Sequence, residues 1–151
     1  MPASGSTQGR QVLDCFSGSG ALAFEALSRH AKSATLIERE AAQARQLQHN
    51  ISKLNCNNAS VVQQDCISYL NTATATQFDV VFIDPPFRKN LALPCCQLLE
   101  QCHWLTDTAL IYLETEKELD ISGLPESWRL IKDKIAGQLA YRLFVYQPVA
   151  A

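Results

Sequence analysis

Three observations predict an α/β fold built on a mostly parallel sheet and closed by an antiparallel C-terminal hairpin. Strand-like and helix-like patterns alternate along most of the chain. The run Phe78-Asp79-Val80-Val81-Phe82-Ile83 is almost wholly apolar, as a parallel strand buried on both faces reads, and it stops at Asp84-Pro85-Pro86-Phe87. The last two strand patterns are separated only by Ala136-Gly137-Gln138, too short for a parallel crossover and suited to a hairpin.

In chain order, residues 1–9 are small and polar and are expected to form a disordered leader before a single domain over 10–151. Residues 11–16 form the first strand, which runs into Ser17-Gly18-Ser19-Gly20 and a helix to about residue 29. The second strand, 34–37, closes at Glu38. Residues 40–54 form a helix whose Ala44, Leu47, Ile51 and Leu54 repeat at 3–4–3 spacing, an apolar stripe for the sheet. A third strand spans 59–63, and a short helix spans 67–71. The strand of the opening paragraph must end at Asp84, because proline has no N–H for a ladder and fixes its own φ. A helix over 91–102, a fifth strand over 109–114, an irregular stretch over 119–127 and two strands over 129–135 and 139–146 complete the chain.

Bulk properties exclude several classes. At 151 residues the chain fits one domain. No apolar run approaches the roughly 20 residues of a membrane helix, and no signal peptide is visible. A net charge of -2 means that any nucleic-acid surface must be local or supplied elsewhere. The six cysteines (Cys15, Cys56, Cys66, Cys95, Cys96, Cys102) contain no C-x-x-C pair, and His30, His49 and His103 are scattered. No metal site is expected; the cysteines read as small hydrophobes of a reduced, cytoplasmic protein. Cys95 and Cys96 should point different ways on their helix, and Trp104 and Trp128 should be packing residues.

Three constellations carry chemistry. In Asp14-Cys15-Phe16-Ser17-Gly18-Ser19-Gly20, two glycines permit a tight turn and close approach of a ligand, with Ala23 as the third small position. Asp14 precedes the glycines, where an acid can accept from a cationic amino group, and Glu38 ends the next strand, where an acid can grip ribose hydroxyls. S-adenosylmethionine presents an α-ammonium group and a ribose without a pyrophosphate, and so suits this pair of acids better than a dinucleotide does. Asp65 and Cys66 form the second constellation. Asp65 either accepts from an adenine amino group, with the Cys66 N–H donating to a ring nitrogen, or merely caps the next helix. The third is Asp84-Pro85-Pro86-Phe87. An exocyclic base amine is a poor nucleophile because its lone pair is delocalised. The Asp84 carboxylate and the Pro85 carbonyl can accept from its N–H bonds while Phe87 stacks on the ring. Arg88 and Lys89 either meet flanking phosphates or form a solvated loop. Arg129, Lys132, Lys134 and Arg142 read as an exposed face of the hairpin.

These motifs lie in a chain that, over about residues 12–146, resembles the RsmD-like S-adenosylmethionine-dependent guanine-N2 methyltransferases of bacterial small-subunit ribosomal RNA. The likeness includes Glu25-Ala26-Leu27-Ser28-Arg29, Ala34-Thr35-Leu36-Ile37-Glu38, Asp84-Pro85-Pro86-Phe87-Arg88, Ala109-Leu110-Ile111-Tyr112-Leu113-Glu114 and Ala136-Gly137-Gln138-Leu139-Ala140-Tyr141-Arg142-Leu143. The resemblance implies a Rossmann-like class I methyltransferase fold, with a seven-stranded sheet and helices on both faces. It implies that Asp14, Phe16, Ser17, Gly18, Ser19, Gly20, Glu38, Arg39, Asp65, Cys66 and Asp84 bind S-adenosyl-L-methionine. Asp84, Pro85, Pro86 and Phe87 would then hold and activate a guanine of 16S rRNA, within the small subunit or an assembly intermediate, for a monomeric cytoplasmic enzyme. Members of that family carry a basic arm ahead of the first core strand. The match here starts at that strand, so the chain is read as lacking the arm. Three alternatives accompany this reading. One is a cofactor-binding fragment or ribosome-assembly module with weak or no catalysis, and another is a DNA amino-methyltransferase. The third, a nicotinamide oxidoreductase, rests on the glycine turn alone.

Overall fold

A computed structural model describes residues 7–72, 76–87 and 89–148. Seven strands form one sheet in the order β3-β2-β1-β4-β5-β7-β6. They are β1 (Gln11–Asp14), β2 (Ser33–Glu38), β3 (Ala59–Gln63), β4 (Phe78–Ile83), β5 (Leu105–Glu116), β6 (Trp128–Ala136) and β7 (Leu139–Tyr146). The first five are parallel; β7 is inserted antiparallel between β5 and β6. The helices are α1 (Ala21–Ser28), α2 (Ala41–Lys53), α3 (Cys66–Leu70) and α4 (Ala92–Gln101). This order, with β7 antiparallel beside β5, is the sheet that the sequence resemblance implies.

The period-two alternation of the central strands divides the core into two layers. Val12, Leu36, Val80 and Phe82 face one side, where Ala23, Ala26 and Leu47 of α1 and α2 cover them. Leu13, Ile37, Val81, Ile83, Ile111 and Leu113 face the other, covered by Leu70 of α3 and Cys95, Cys96 and Leu99 of α4. β4 is buried along its length except at Asp79, whose carboxylate accepts from the Gln11 N–H (2.9 Å) and the Thr106 hydroxyl (2.9 Å). One acid thus pins the start of the central strand to both neighbours. Trp104 is a core residue, as expected, and its indole N–H donates to the Leu70 carbonyl (2.8 Å). Trp128 packs against Phe144 with ring centroids 5.9 Å apart.

The chain winds outward from β1 to β3 and then returns to place β4 on the other side of β1. That reversal opens a crevice at the carboxyl ends of β1 and β4, where open α/β sheets take their ligands.

Several boundaries differ from expectation. β1 ends at Asp14 rather than at residue 16, because the chain turns out of the sheet to form the glycine loop. β5 begins at Leu105, four residues early: Leu105 pairs with Phe78, and the ladder then shifts register past Thr108, whose φ is +64°. The polar run Thr106-Asp107-Thr108 hid that irregular start. Leu54 is 59% exposed, since α2 stops at Lys53 and turns the last residue of the expected stripe away from the sheet. Arg142 departs from the exposed basic face: it sits on β7, an interior strand, and is only 9% exposed, with Nε 3.4 Å from Asp133 Oδ1. Arg129, Lys132 and Lys134 are exposed on the edge strand β6. Of the expected leader, residues 1–6 lie outside the described residues. Thr7 is buried and the Gly9 N–H donates to the His30 carbonyl (2.9 Å), so Thr7 and Gly9 are part of the packed structure.

Candidate active site

The loop after β1 is held by three backbone hydrogen bonds, two to neighbouring strands and one within itself. The Cys15 N–H donates to the Phe82 carbonyl (3.0 Å), the Ser17 N–H to the Ile37 carbonyl (3.0 Å) and the Gly20 N–H to the Ser17 carbonyl (2.7 Å). The loop therefore bridges the tips of β4 and β2. Gly18 and Gly20 both have positive φ, +53° and +81°, but for different purposes. A Cβ on Gly18 would meet nothing within 4 Å, so this backbone borders open space. A Cβ on Gly20 would stand 2.7 Å from both Leu47 Cδ2 and Phe24 Cε2, so this glycine permits the close packing of α1 on α2.

Glu38 ends β2 and locks the loop. Its Oε1 accepts from the Gly18 N–H (2.9 Å) and its Oε2 from the Glu40 N–H (2.9 Å). Each oxygen retains acceptor capacity for a further donor. Asp65 caps α3, its Oδ2 accepting from the Ser68 N–H (3.0 Å) and hydroxyl (3.2 Å). The capping role that the sequence left open is thus present, and neither of these bonds uses Oδ1. Cys66 is the first residue of α3, where a backbone N–H has no partner within the helix.

These groups surround one cavity of about 760 Å³. Phe16, Ser17, Gly18, Ser19, Glu38, Arg39, Asp65 and Cys66 line it, and so do Asp84, Pro85 and Pro86 of the proline corner. Three of the expected site residues are not part of the lining. Gly20 packs behind the loop, Phe87 lies past the corner and is 45% exposed, and Asp14 is buried at 2% exposure beneath the loop. Lys89 lines the cavity, whereas Arg88 lies outside the described residues.

Burial pushes the Asp14 carboxyl up to about 7; the Ser17 hydroxyl opposes the rise and the Asp84 charge adds to it. Asp84 is itself shifted upward by burial, opposed by a hydrogen bond from Glu114. Glu114 is raised by burial and by the charge and hydrogen bond of Asp84. Because Ile83 pairs with Leu113, Asp84 and Glu114 occupy the next rung of the ladder on the same face. The two carboxyls are coupled: their mutual hydrogen bond holds Asp84 down and Glu114 up. Sequence reasoning missed Glu114. Its signal was an acid closing a strand that neighbours the Asp84 strand, which requires knowing that β4 and β5 are adjacent.

The cysteines are a second omission. Cys15, Cys66 and Cys95 come together although 28 or more residues lie between each and the next. Hydrogen bonds from the Cys15 and Cys95 thiols pull Cys66 below the ordinary cysteine range, against the effect of burial.

The family model described as conserved hypothetical protein 95 matches residues 3–145. Ribosomal RNA small subunit methyltransferase D of Escherichia coli is 48% identical over 134 residues, covering 89% of this chain and 67% of that protein. The chain belongs to this rRNA methyltransferase family. Its Haemophilus influenzae member is 44% identical, with 89% of this chain and 70% of that protein covered. A crystal structure of a Haemophilus influenzae protein, 41% identical, superposes with a TM-score of 0.91 over 96% of this chain and 91% of that one. The family fits the site as built, with its glycine loop, two strand-end acids and proline corner around one crevice.

Proposed function

We propose that this protein transfers a methyl group from S-adenosyl-L-methionine to the N2 amine of a guanine in small-subunit ribosomal RNA. One observation carries the reading: the glycine loop and the Asp84-Pro85-Pro86 corner are two walls of a single cavity. A cavity of about 760 Å³ is within the range of nucleoside-sized ligand sites. The donor set also matches, with acids for hydroxyl and amino groups, backbone N–H groups for ring nitrogens, and a bare Gly18 where a ligand must come close.

When bound, S-adenosylmethionine supplies a methyl group on a positively charged sulfur. Glu38 would accept from the ribose hydroxyls without releasing the loop, since its bonds to Gly18 and Glu40 leave acceptor capacity on both oxygens. Asp65 Oδ1 would accept from the adenine amino group, and the Cys66 N–H would donate to a ring nitrogen. Asp14 would act from beneath the loop, its carboxyl poised near neutrality and ionising in response to an ammonium group.

At the corner, Asp84 and the Pro85 carbonyl would accept the two N2–H bonds, localising the nitrogen lone pair and aiming it. Holding both partners rigidly is the main source of rate, because no covalent intermediate with the protein is required. Phe87 is exposed enough to stack on an incoming base, a contact worth roughly 1–3 kcal/mol. The upward shift of Asp84 suits it to take the proton that N2 sheds after transfer. Lys89, which lines the cavity, would meet a backbone phosphate flanking an extruded guanine.

The experiment has two stages. Calorimetry measures S-adenosylmethionine binding, and radiolabelled methyl incorporation is then followed into small subunits from cells lacking this modification, with the product nucleoside identified. N2-methylguanosine is expected. N6-methyladenosine would overturn the substrate assignment, and binding without incorporation would leave a cofactor-binding module in its place.

A further inference from the structure

The sulfurs of Cys15, Cys66 and Cys95 all lie within 4.8 Å of one another. The three residues come from different elements: the turn after β1, the first position of α3 and the middle of α4. All three are buried, at 1%, 4% and 0% exposure. Free cysteine is common in cores as a small hydrophobe, so burial alone means little. Convergence is the distinguishing feature. Cys96 is as buried as its neighbour Cys95, yet it is not part of the triangle.

We propose that Cys15, Cys66 and Cys95 form a three-thiolate site for a thiophilic d10 metal ion, Zn²⁺ or Cu⁺, set into the floor of the cavity. At a Zn–S bond of about 2.3 Å, sulfurs on one tetrahedral or trigonal ion stand about 3.8–4.0 Å apart. The present triangle thus needs to contract by no more than about an ångström to close on an ion. Soft thiolate ligands select these metals over the hard cations that prefer oxygen. Cys15 and Cys66 also line the cavity, which gives an ion a route to an otherwise buried cluster. For Zn²⁺ the three thiolates leave a fourth position open, as in sites that keep water or an exogenous ligand. For Cu⁺ three thiolates are sufficient. In either case the thiols lose their protons to solvent on binding and no electron is transferred.

The proposal is independent of the methyl-transfer reading, and its test uses the metal alone. The reduced full chain is titrated with Zn²⁺ and separately with Cu⁺ against a competing chelator. Proton release is followed in weak buffer, and the metal's neighbours are counted by X-ray absorption. One equivalent of either ion per chain is expected, with three sulfurs at about 2.3 Å and release of up to about three protons. Cys95→Val, which keeps the core filled, should weaken binding at least 100-fold, and Cys66→Ala likewise. Cys56→Ala and Cys96→Ala should bind as the parent does. Circular dichroism of each variant establishes that a loss is not unfolding. Failure of the parent to take up either ion would overturn the proposal. So would uptake undiminished in folded Cys95→Val, or a shell of nitrogen and oxygen neighbours.

Discussion

Replacing Asp14 by Asn separates the electrostatic cost of this buried acid from its shape. The folded carboxyl titrates at about 7 against 3.8 for the unfolded chain, and the cause is chiefly burial at 2% exposure. The sign follows from linkage. Between pH 4 and 7 the native state holds a proton at Asp14 that the unfolded state has lost, so stability declines as pH rises across this window and levels off above it. Every tenfold weakening of the acid corresponds to about 1.4 kcal/mol, which makes the full penalty at pH 8 on the order of 4 kcal/mol. An amide of the same shape carries no such penalty. Asp14→Asn should therefore gain on the parent by about 2–3 kcal/mol between pH 5 and pH 8, and the two should differ least near pH 4. Urea unfolding of both proteins across that range reads the difference directly, because groups not coupled to Asp14 titrate alike in the two and cancel. A pH-independent difference would mean that Asp14 has an ordinary acidity. Its burial beneath the loop would then not control its charge, and a poised acid for the cofactor's ammonium group would be ruled out.

The two loop glycines should fail in different ways. Gly20→Ala drives a Cβ into Leu47 and Phe24 and should cost about 1–3 kcal/mol of stability in thermal unfolding, whereas Gly18→Ala should cost only about 1–2 kcal/mol of backbone strain yet sharply weaken S-adenosylmethionine binding. Equal effects on binding from both would mean that Gly18 does not face the ligand. Asp84→Ala should lower methyl transfer by roughly 100-fold or more while leaving cofactor affinity nearly unchanged, and Glu114→Gln should lower kcat by roughly tenfold, about 1.4 kcal/mol at the transition state. A parallel loss of cofactor affinity in calorimetry would move Asp84 from the base to the cofactor. Asp65→Ala should destabilise the fold by about 1 kcal/mol through the lost cap of α3 and also weaken cofactor binding. If stability alone changes, Asp65 is only a cap.

Most of the sheet was legible because its strands are local statements. β3 matches its expected bounds of 59–63, and Pro85 and Pro86 fix the end of β4 whatever lies beside it. The hairpin followed from the length of its turn, where Gly137 at φ +61° makes the reversal. What escaped was decided by neighbours in space. Whether Leu54 faces the sheet depends on where α2 unwinds, and the burial of Arg142 depends on β7 entering between β5 and β6. The site divides in the same way. The glycine loop and the proline corner are contiguous in sequence and could be read directly. The Asp84–Glu114 pair needed the register of β4 on β5, and the Cys15–Cys66–Cys95 triangle needed the packing of α3 and α4 on one face of the sheet. A spacing rule for metal ligands looks for close pairs along the chain, and these three cysteines contain none.

The central claim is that one cavity brings a methyl donor to a base held at the proline corner. The most direct test incubates the protein with S-adenosylmethionine carrying a labelled methyl group and unmodified small ribosomal subunits, followed by mass spectrometry of the digested 16S rRNA. A single labelled N2-methylguanosine that disappears with Asp84→Ala is the expected result. Label on another atom or base, or label that persists in Asp84→Ala, would contradict the account.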